Sequence, residues 1–358
     1  MTKKRILIAP LDWGLGHAAR CIPIVRYLLE KDCEVIIAAD KRPMELLKKE
    51  FPSLEFVVMP GYEISYPKNG SMVLKIAVQV PKILIGIKRE HKLLKKIIRE
   101  KKIDAVISDN RFGLWSRSVP CVFITHQLMV KAPFGEKLLH KLNKNLIAKY
   151  NECWIPDNEG ENNLSGDLSH KFPLPENAKF IGILSRFNSL RHLSSKEEPL
   201  DLLVLLSGPE PQRPIFEKKI LEQISFLPIK SLIVQGITEK NETKKISENV
   251  EIVSFLTSDD LIKKILSSKI ILCRPGYSSV MDLAALGKKS IFVSTPGQPE
   301  QEYFAKYFSE RRIAYSVAQK EFDLKTALEE SKEYLGFSQT NLREGFKVQI
   351  DALMLSLK

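Results

Sequence analysis

An alternation of short apolar runs with helical stretches breaks once along the chain and then starts again, and this pattern limits the fold more than any other feature. In the first half, strand patterns at 5–9, 34–38, 55–58, 105–108, 121–125 and 152–155 are separated by helical patterns, the longest at 72–101. Strands alternating with helices predict a parallel sheet covered on both faces. The segment 187–199 is polar and has no periodicity, as a linker would be. Alternation then resumes, with strands expected at 201–206, 231–235, 250–254, 270–273 and 290–294, later helical patterns at 301–310 and 323–334, and a last helix at 341–357. At 358 residues the chain is also too long for one growing core. The expectation is an α/β protein of two doubly wound, Rossmann-like domains facing a cleft. The first is placed at 1–186 and the second at 200–340, with a C-terminal helix at 341–358 free to cross back.

Composition excludes several classes. With 44% hydrophobic and 27% charged residues the chain has the balance of an ordinary globular protein. No run of 18 apolar residues occurs, and the best candidate, 72–87, is interrupted by Lys75, Pro81 and Lys82. The N-terminus lacks the core and cleavage site of a signal peptide. Five cysteines show no metal-like or redox-like spacing, and buried thiols in a reducing cytoplasm are expected. The net charge of +12 is concentrated at Lys82–Lys102, where nine Lys or Arg face only Glu90 and Glu100. Without zinc-finger spacing or interleaved aromatics, that charge does not predict nucleic acid binding. An amphipathic basic helix there can instead lie on an anionic membrane, although a core-packed helix with a solvated lysine face explains the same pattern.

Three loops follow expected strands and open expected helices, a setting suited to oxyanions because helix N-terminal amides are unpaired. In the first, Asp12 to Arg20, Gly14 and Gly16 allow tight turns and place His17 at a helix start. The helix dipole there disfavours imidazolium and keeps a neutral ring available as a base, with a capping or packing histidine as the alternative. The loop lacks the third glycine of a dinucleotide fingerprint, so no cofactor is expected. The second loop brings Ser207, Gly208, Gln212 and Arg213 to the next helix start, where Arg213 suits a phosphate. In the third, Gly276 precedes Ser278 and Ser279, which can cap a helix and meet a phosphate, while Asp282 suits sugar hydroxyls rather than anions. Gln301 and Glu302 open a further helix. Asp109, Asn110, Arg111 and His126 follow strands, where such folds place function, although turn chemistry explains Asp109 and Asn110 equally well. His91, His140 and His192 fall in basic helical or linker stretches and read as solvated.

The run Arg274-x-Gly276-x-x-Ser279-x-x-Asp282-Leu-Ala-x-x-Gly287, followed by Pro296, Gln301 and Phe304, resembles the donor half of GT-B glycosyltransferases, and within them the MurG-like family. The resemblance implies that Arg274, Gly276 and Ser279 line a diphosphate and that Asp282 binds ribose hydroxyls. It also implies that Gln301 and Glu302 reach the sugar, and that backbone near Phe255 and Leu256 reads a base, with uridine expected. The glycine-rich loop then lies on the acceptor side, with Asn110 and Arg111 nearby. His17 is expected as the base, with Asp109 or His126 in reserve. The implied reaction moves a sugar from a nucleotide-diphosphate donor to an acceptor hydroxyl with inversion. A lipid-linked or glycan acceptor at the inner face of the membrane is among the options. No Asp-x-Asp motif occurs, so no metal is expected. The form Gly14-x-Gly16-His17-x-x-Arg20-Cys21 also resembles a UDP-sugar hydrolase of pseudaminic acid synthesis, whose histidine activates water, and that alternative stays open.

Overall fold

The computed structural model describes residues 3–62, 72–129, 136–188, 197–208, 210–338 and 344–357, with the side chains of 63–78 and 138 outside the description. Much of the expected linker, at 189–196, therefore lies outside the described residues, as do 339–343 around the expected start of the last helix.

The first half runs β1 (Arg5–Pro10), α1 (Leu15–Glu30), β2 (Glu34–Ala39), α2 (Lys41–Glu50), β3 (Glu55–Val58), α3 (Met72–Lys101), β4 (Ala105–Asp109), β5 (Cys121–Ile124), α4 (Glu136–Ile147), β6 (Glu152–Ile155), α5 (Asp167–His170) and β7 (Ala178–Phe180). Its sheet has the order β3-β2-β1-β4-β5-β6-β7, and every pair in it is parallel. The second half runs β8 (Leu200–Leu205), α6 (Gln212–Ile224), β9 (Ser231–Val234), β10 (Thr243–Lys245), β11 (Val250–Val253), α7 (Ser258–Ser267), β12 (Ser268–Cys273), α8 (Tyr277–Leu286), β13 (Ser290–Ser294), α9 (Pro299–Glu310), β14 (Tyr315–Ala318), α10 (Leu324–Glu330) and α11 (Gly345–Ser356). Its order is β10-β11-β9-β8-β12-β13-β14, parallel except for the β10–β11 pair. The two doubly wound sheets match the expected fold. Strands such as β4 and β13 are buried at every residue because both faces of a parallel sheet are covered. The five cysteines are likewise buried and unpaired.

Four elements have no counterpart in the sequence reading: α5, β7, β10 and β14. β7 spans only three residues, β10 is exposed throughout, and β14 is half-buried at a sheet edge, so none carries an apolar signal. The helix expected at 323–334 stops at Glu330 and tightens into a 3-10 turn over Ser331–Glu333.

The halves are in close contact. α1 packs on α8 and on α11, and one apolar cluster includes Ile22 of α1, Met281 of α8 and Ile350 of α11. The C-terminal helix thus returns to the first half, where Tyr27 Oη donates to Asp351 at 2.9 Å and Lys31 pairs with the same carboxylate at 2.8 Å. A second join lies at α2. The Glu50 carboxylate accepts from both the backbone N–H and the hydroxyl of Ser258, each at 2.7 Å, and so caps α7 from across the boundary. A cap of this kind contributes about 1 kcal/mol.

Candidate active site

In open parallel sheets ligands bind beyond the strand carboxyl ends, where the strand order reverses. That reversal falls between β1 and β4 in the first half and between β8 and β12 in the second. The two points face each other, because Ser278 in the first turn of α8 donates to the Gly16 carbonyl in the first turn of α1 at 2.8 Å. Both glycines of the first loop have a physical reason. Gly14 has φ of +129°, and a Cβ on Gly16 would sit 3.0 Å from the Ser278 hydroxyl.

A polar chain crosses this boundary. Arg20, buried one turn after His17, grips Asp109 with two nitrogens as a fork. His17 Nδ1 lies 2.6 Å from the same carboxylate. Arg20 Nη2 also stands 2.9 Å from His17 Nδ1, but that nitrogen donates to Asp109, and the shorter carboxylate contact takes the Nδ1 proton. Donation of Nδ1–H to Asp109 leaves the Nε2 lone pair of His17 to accept a proton. A guanidinium has only donors, so the 3.0 Å contact from Arg20 Nη1 makes His126 Nδ1 an acceptor. The His126 proton is then on Nε2, which donates to Glu300 at 2.9 Å. Glu300 also accepts from the Gln127 amide. The His126 ring stacks on Tyr277 at 4.1 Å and 7°.

Electrostatics keep both carboxylates charged and disfavour charge on His126. Burial opposes the Asp109 carboxylate, but Arg20 and His17 outweigh it and hold its pKa below the ordinary value. Glu300 is likewise lowered, with burial opposing and His126 the largest favourable neighbour. Burial lowers His126, only partly offset by Glu300, which favours the neutral ring.

On the second half, Gly276 is the N-cap of α8, and nothing lies within 4 Å of where its Cβ would be. Backbone there is open to a ligand, and the Ser279 hydroxyl has no partner among the described residues. Arg274 is buried, donates to the Val293 and Ser294 carbonyls at 2.9 and 3.0 Å and to Gln319, and lies over the Phe216 ring. Burial, with no carboxylate partner among the described residues, lowers its pKa to about 9. Its Nε, Thr295 Oγ1 and Gln298 Oε1 are buried polar atoms without partners among the described residues. Such atoms call for a ligand or water. Gly208, φ +109°, brings the second loop close to Thr295, where an added Cβ would lie 3.7 Å from Oγ1. Ser207 is half-buried beside it.

Other expected residues hold the frame. Arg213 pairs with Glu210 at 3.0 Å and Glu217 at 2.8 Å, and Gln212 bonds Gln319 at 3.4 Å. Gln301 accepts from Thr295 N–H at 2.8 Å and Glu302 from Gly297 N–H at 3.0 Å, so both shape their own turn while Glu300 reaches across. Asp282 accepts from Ser185 Oγ at 2.7 Å and Arg186 Nε at 2.9 Å. Phe255 and Leu256 are half-buried, with Lys49 Nζ 4.9 Å from the Phe255 ring. The structure places Arg111 inside the first half rather than on the cleft wall. It is fully buried between Glu90 and the carbonyls of Pro10 and Met59. Asn110 beside it is in a left-handed turn with φ of +57°. His91 and His140 are not free in solvent but stack on Trp115 and Phe172, and His192 lies outside the described residues. The sequence reading gave no individual role to Arg20, Gln127, Ser185, Arg186 or Glu300. Two of them left a signal: His17-x-x-Arg20 puts both side chains on one helix face, and Gln127 follows β5 beside His126.

Residues 215–345 match the glycosyltransferase family 28 C-terminal domain. Over 345 residues the chain is 23% identical to the UDP-N-acetylglucosamine--N-acetylmuramyl-(pentapeptide) pyrophosphoryl-undecaprenol N-acetylglucosamine transferase of Histophilus somni, covering 90% of this chain and 87% of the relative. It is 25% identical over 352 residues to an uncharacterized glycosyltransferase of Methanosarcina acetivorans, covering 87% and 86%. Among solved structures, Acinetobacter baumannii MurG superposes with a TM-score of 0.57 at 13% identity, covering 99% of each chain. The kitacinnamycin glycotransferase gives 0.64 at 13% identity, again over 99% of each. Two facing doubly wound halves of this kind define the GT-B fold. The chain is a GT-B glycosyltransferase resembling the MurG-like family, an enzyme that transfers a sugar from a nucleotide sugar.

Proposed function

We propose that the donor is a UDP-sugar, that the acceptor is a hydroxyl presented at an anionic membrane surface, and that transfer inverts the anomeric carbon. The observation that carries this reading is the His17–Asp109 pair standing opposite the first turn of α8. His17 Nε2 takes the acceptor proton, the acceptor oxygen bonds to the anomeric carbon, and the bond to the diphosphate breaks with its electron pair leaving on phosphate. Attack from the face opposite the leaving group inverts the centre. The charge growing on the diphosphate meets the α8 amides at Gly276 to Ser279 and the field of Arg274, a buried cation without a carboxylate partner among the described residues. Asp282 is the group for the ribose hydroxyls, exchanging Ser185 and Arg186 for the ligand in part, and the backbone at Phe255 and Leu256 reads the base. Gln301 and Glu302 frame the sugar. In this reading the first half, to residue 186, receives the acceptor and the second, from 200, holds the donor.

Hydrolysis of the donor is the reading to be separated from transfer. Incubation of the enzyme with UDP-sugars is expected to give slow release of UDP alone and faster release when a polyprenyl-linked acceptor is added. Cleavage at full rate without acceptor would assign hydrolysis.

The membrane-surface part rests on α3. Val80, Leu84 and Ile85 are 45, 53 and 52% exposed, next to Lys88, Arg89 and Lys92 on the same helix. No helix among the described residues is long and apolar enough to cross a membrane, and the contact proposed is peripheral, through the exposed face of α3. The protein is expected to sediment with phosphatidylglycerol liposomes and to be released as salt rises. Absence from the pellet at every salt concentration would remove this part.

A further inference from the structure

Glu300 belongs to the donor half, yet both of its carboxylate oxygens bond to residues of the other half, His126 and Gln127. Its neighbours Gln301 and Glu302 do the opposite and close the turn they stand on. From Glu300 the bonds continue without a gap through His126 to Arg20, from Arg20 to Asp109, and from Asp109 to His17. Every link except the first lies within one half. The chain is therefore complete only while the two halves are in contact.

We infer that Glu300 and His126 are positioning residues that make the orientation of His17 conditional on contact between the halves. This rests on the reading of His17 as the base. His126 accepts from Arg20 through Nδ1 only while its proton stays on Nε2, and Glu300 is the acceptor that keeps it there. Without Glu300 the Nε2–H is buried with no partner, an unfavourable state that a tautomer shift or ring flip relieves. The tautomer shift turns an N–H toward Arg20, a donor against a donor, and the flip turns a C–H there, so either change removes the acceptor that Arg20 had. Arg20 then moves, and with it the Asp109 oxygen that orients the His17 ring. Charge favours the same arrangement. Glu300 and Asp109 are carboxylates, Arg20 is a cation, and His126 is neutral, stacked on the uncharged Tyr277. Before the reaction the chain from Glu300 to His17 carries one net negative charge, which becomes zero when His17 takes a proton. Cys21, 4.0 Å from Asp109, is held as a thiol by burial and adds no charge. The device ties base activation to the closed cleft, so that an acceptor or water reaching His17 in an open molecule meets an unoriented ring.

The test uses the full chain with UDP-sugar turnover, UDP binding and nitrogen NMR of 15N-labelled histidine. Glu300→Ala is expected to lower kcat by roughly tenfold or more with the Kd for UDP unchanged, the pattern of an interaction made only in the transition state. Glu300→Gln, whose amide oxygen still accepts from Nε2–H, is expected to recover most of that loss. His126→Phe keeps the stack on Tyr277 but removes both nitrogens. Combined with Glu300→Ala it is expected to be no worse than the poorer single variant. In the unaltered enzyme His126 should resonate as the Nε2–H tautomer and His17 as the Nδ1–H tautomer, with His17 becoming a mixture in Glu300→Ala. A loss confined to KM for the donor, multiplying losses in the double variant, or an unchanged His17 signal in Glu300→Ala would each overturn the inference. The NMR result stands apart from turnover: an inactive unaltered enzyme would refute the transfer reading while the tautomers still decide this one.

Discussion

His17→Ala is expected to lower kcat by about 10²–10⁴-fold, the range for loss of a positioned general base, while UDP binds as before. The separation of effects follows from the geometry. His17 stands on α1 and is oriented by Asp109 at the end of β4, both in the first half. The groups proposed for the nucleotide stand on α8 and the loops after β11 and β12 in the second. Steady-state kinetics with UDP binding by calorimetry checks this. Unchanged kcat would move the base elsewhere, and an equal loss of UDP affinity would mean that the variant disturbs the donor half.

The second large effect is on stability. Asp109→Ala leaves the Arg20 guanidinium buried with only neutral partners, and removing one member of a buried ion pair costs about 3–5 kcal/mol. For a domain of this size that corresponds to a melting temperature lower by roughly 10 °C. Arg20→Met added to Asp109→Ala removes the stranded charge and should restore part of the loss. No restoration would show that the Asp109 site matters through something other than its pairing with Arg20. The pH dependence has a definite sign. Asp109 and Glu300 have folded pKa values below their unfolded ones, so their contribution is complete above the unfolded carboxylate value of about 4 and is lost as pH falls through the folded values. His126, also lowered, is buried neutral. Its contribution is present above the unfolded value of about 6.5 and falls away as pH drops toward the folded value. Stability followed from pH 8 downward should therefore weaken first from the histidine and then more steeply from the carboxylates. Stability that rises on acidification over this span would contradict these assignments.

The parts of the molecule that a sequence announces are those whose physics is local. β1, β4, β12 and β13 are continuous apolar segments because both faces of their sheets are covered, and they were legible. β10, exposed at Thr243–Lys245, is a strand only because β11 lies beside it, and no periodicity could mark it. The same division runs through the site. Gly14, Gly16 and Gly276 are demanded by turn geometry and close approach, so the loops were readable as loops. Glu300 acquires its place from His126, 174 residues earlier, and Arg20 from Asp109, 89 residues later. Asp282 stood out as a carboxylate beyond the α8 N-terminus, but nothing nearby in the chain indicated that Ser185 and Arg186 engage it. Arg111 looked like a cleft residue because it follows a strand, and only packing against Glu90 explains its burial.

The most direct measurement is a thermal-shift panel of nucleoside diphosphates and nucleotide sugars on the unaltered protein and on Asp282→Ala. A ligand that binds only the folded state adds about 2.7 kcal/mol at a hundredfold excess over Kd. UDP and UDP-sugars are expected to raise the melting temperature in step with concentration, and Asp282→Ala to blunt the rise. A flat response to every nucleotide and nucleotide sugar would contradict a donor site in the second half, and a full response in Asp282→Ala would take the ribose away from that carboxylate.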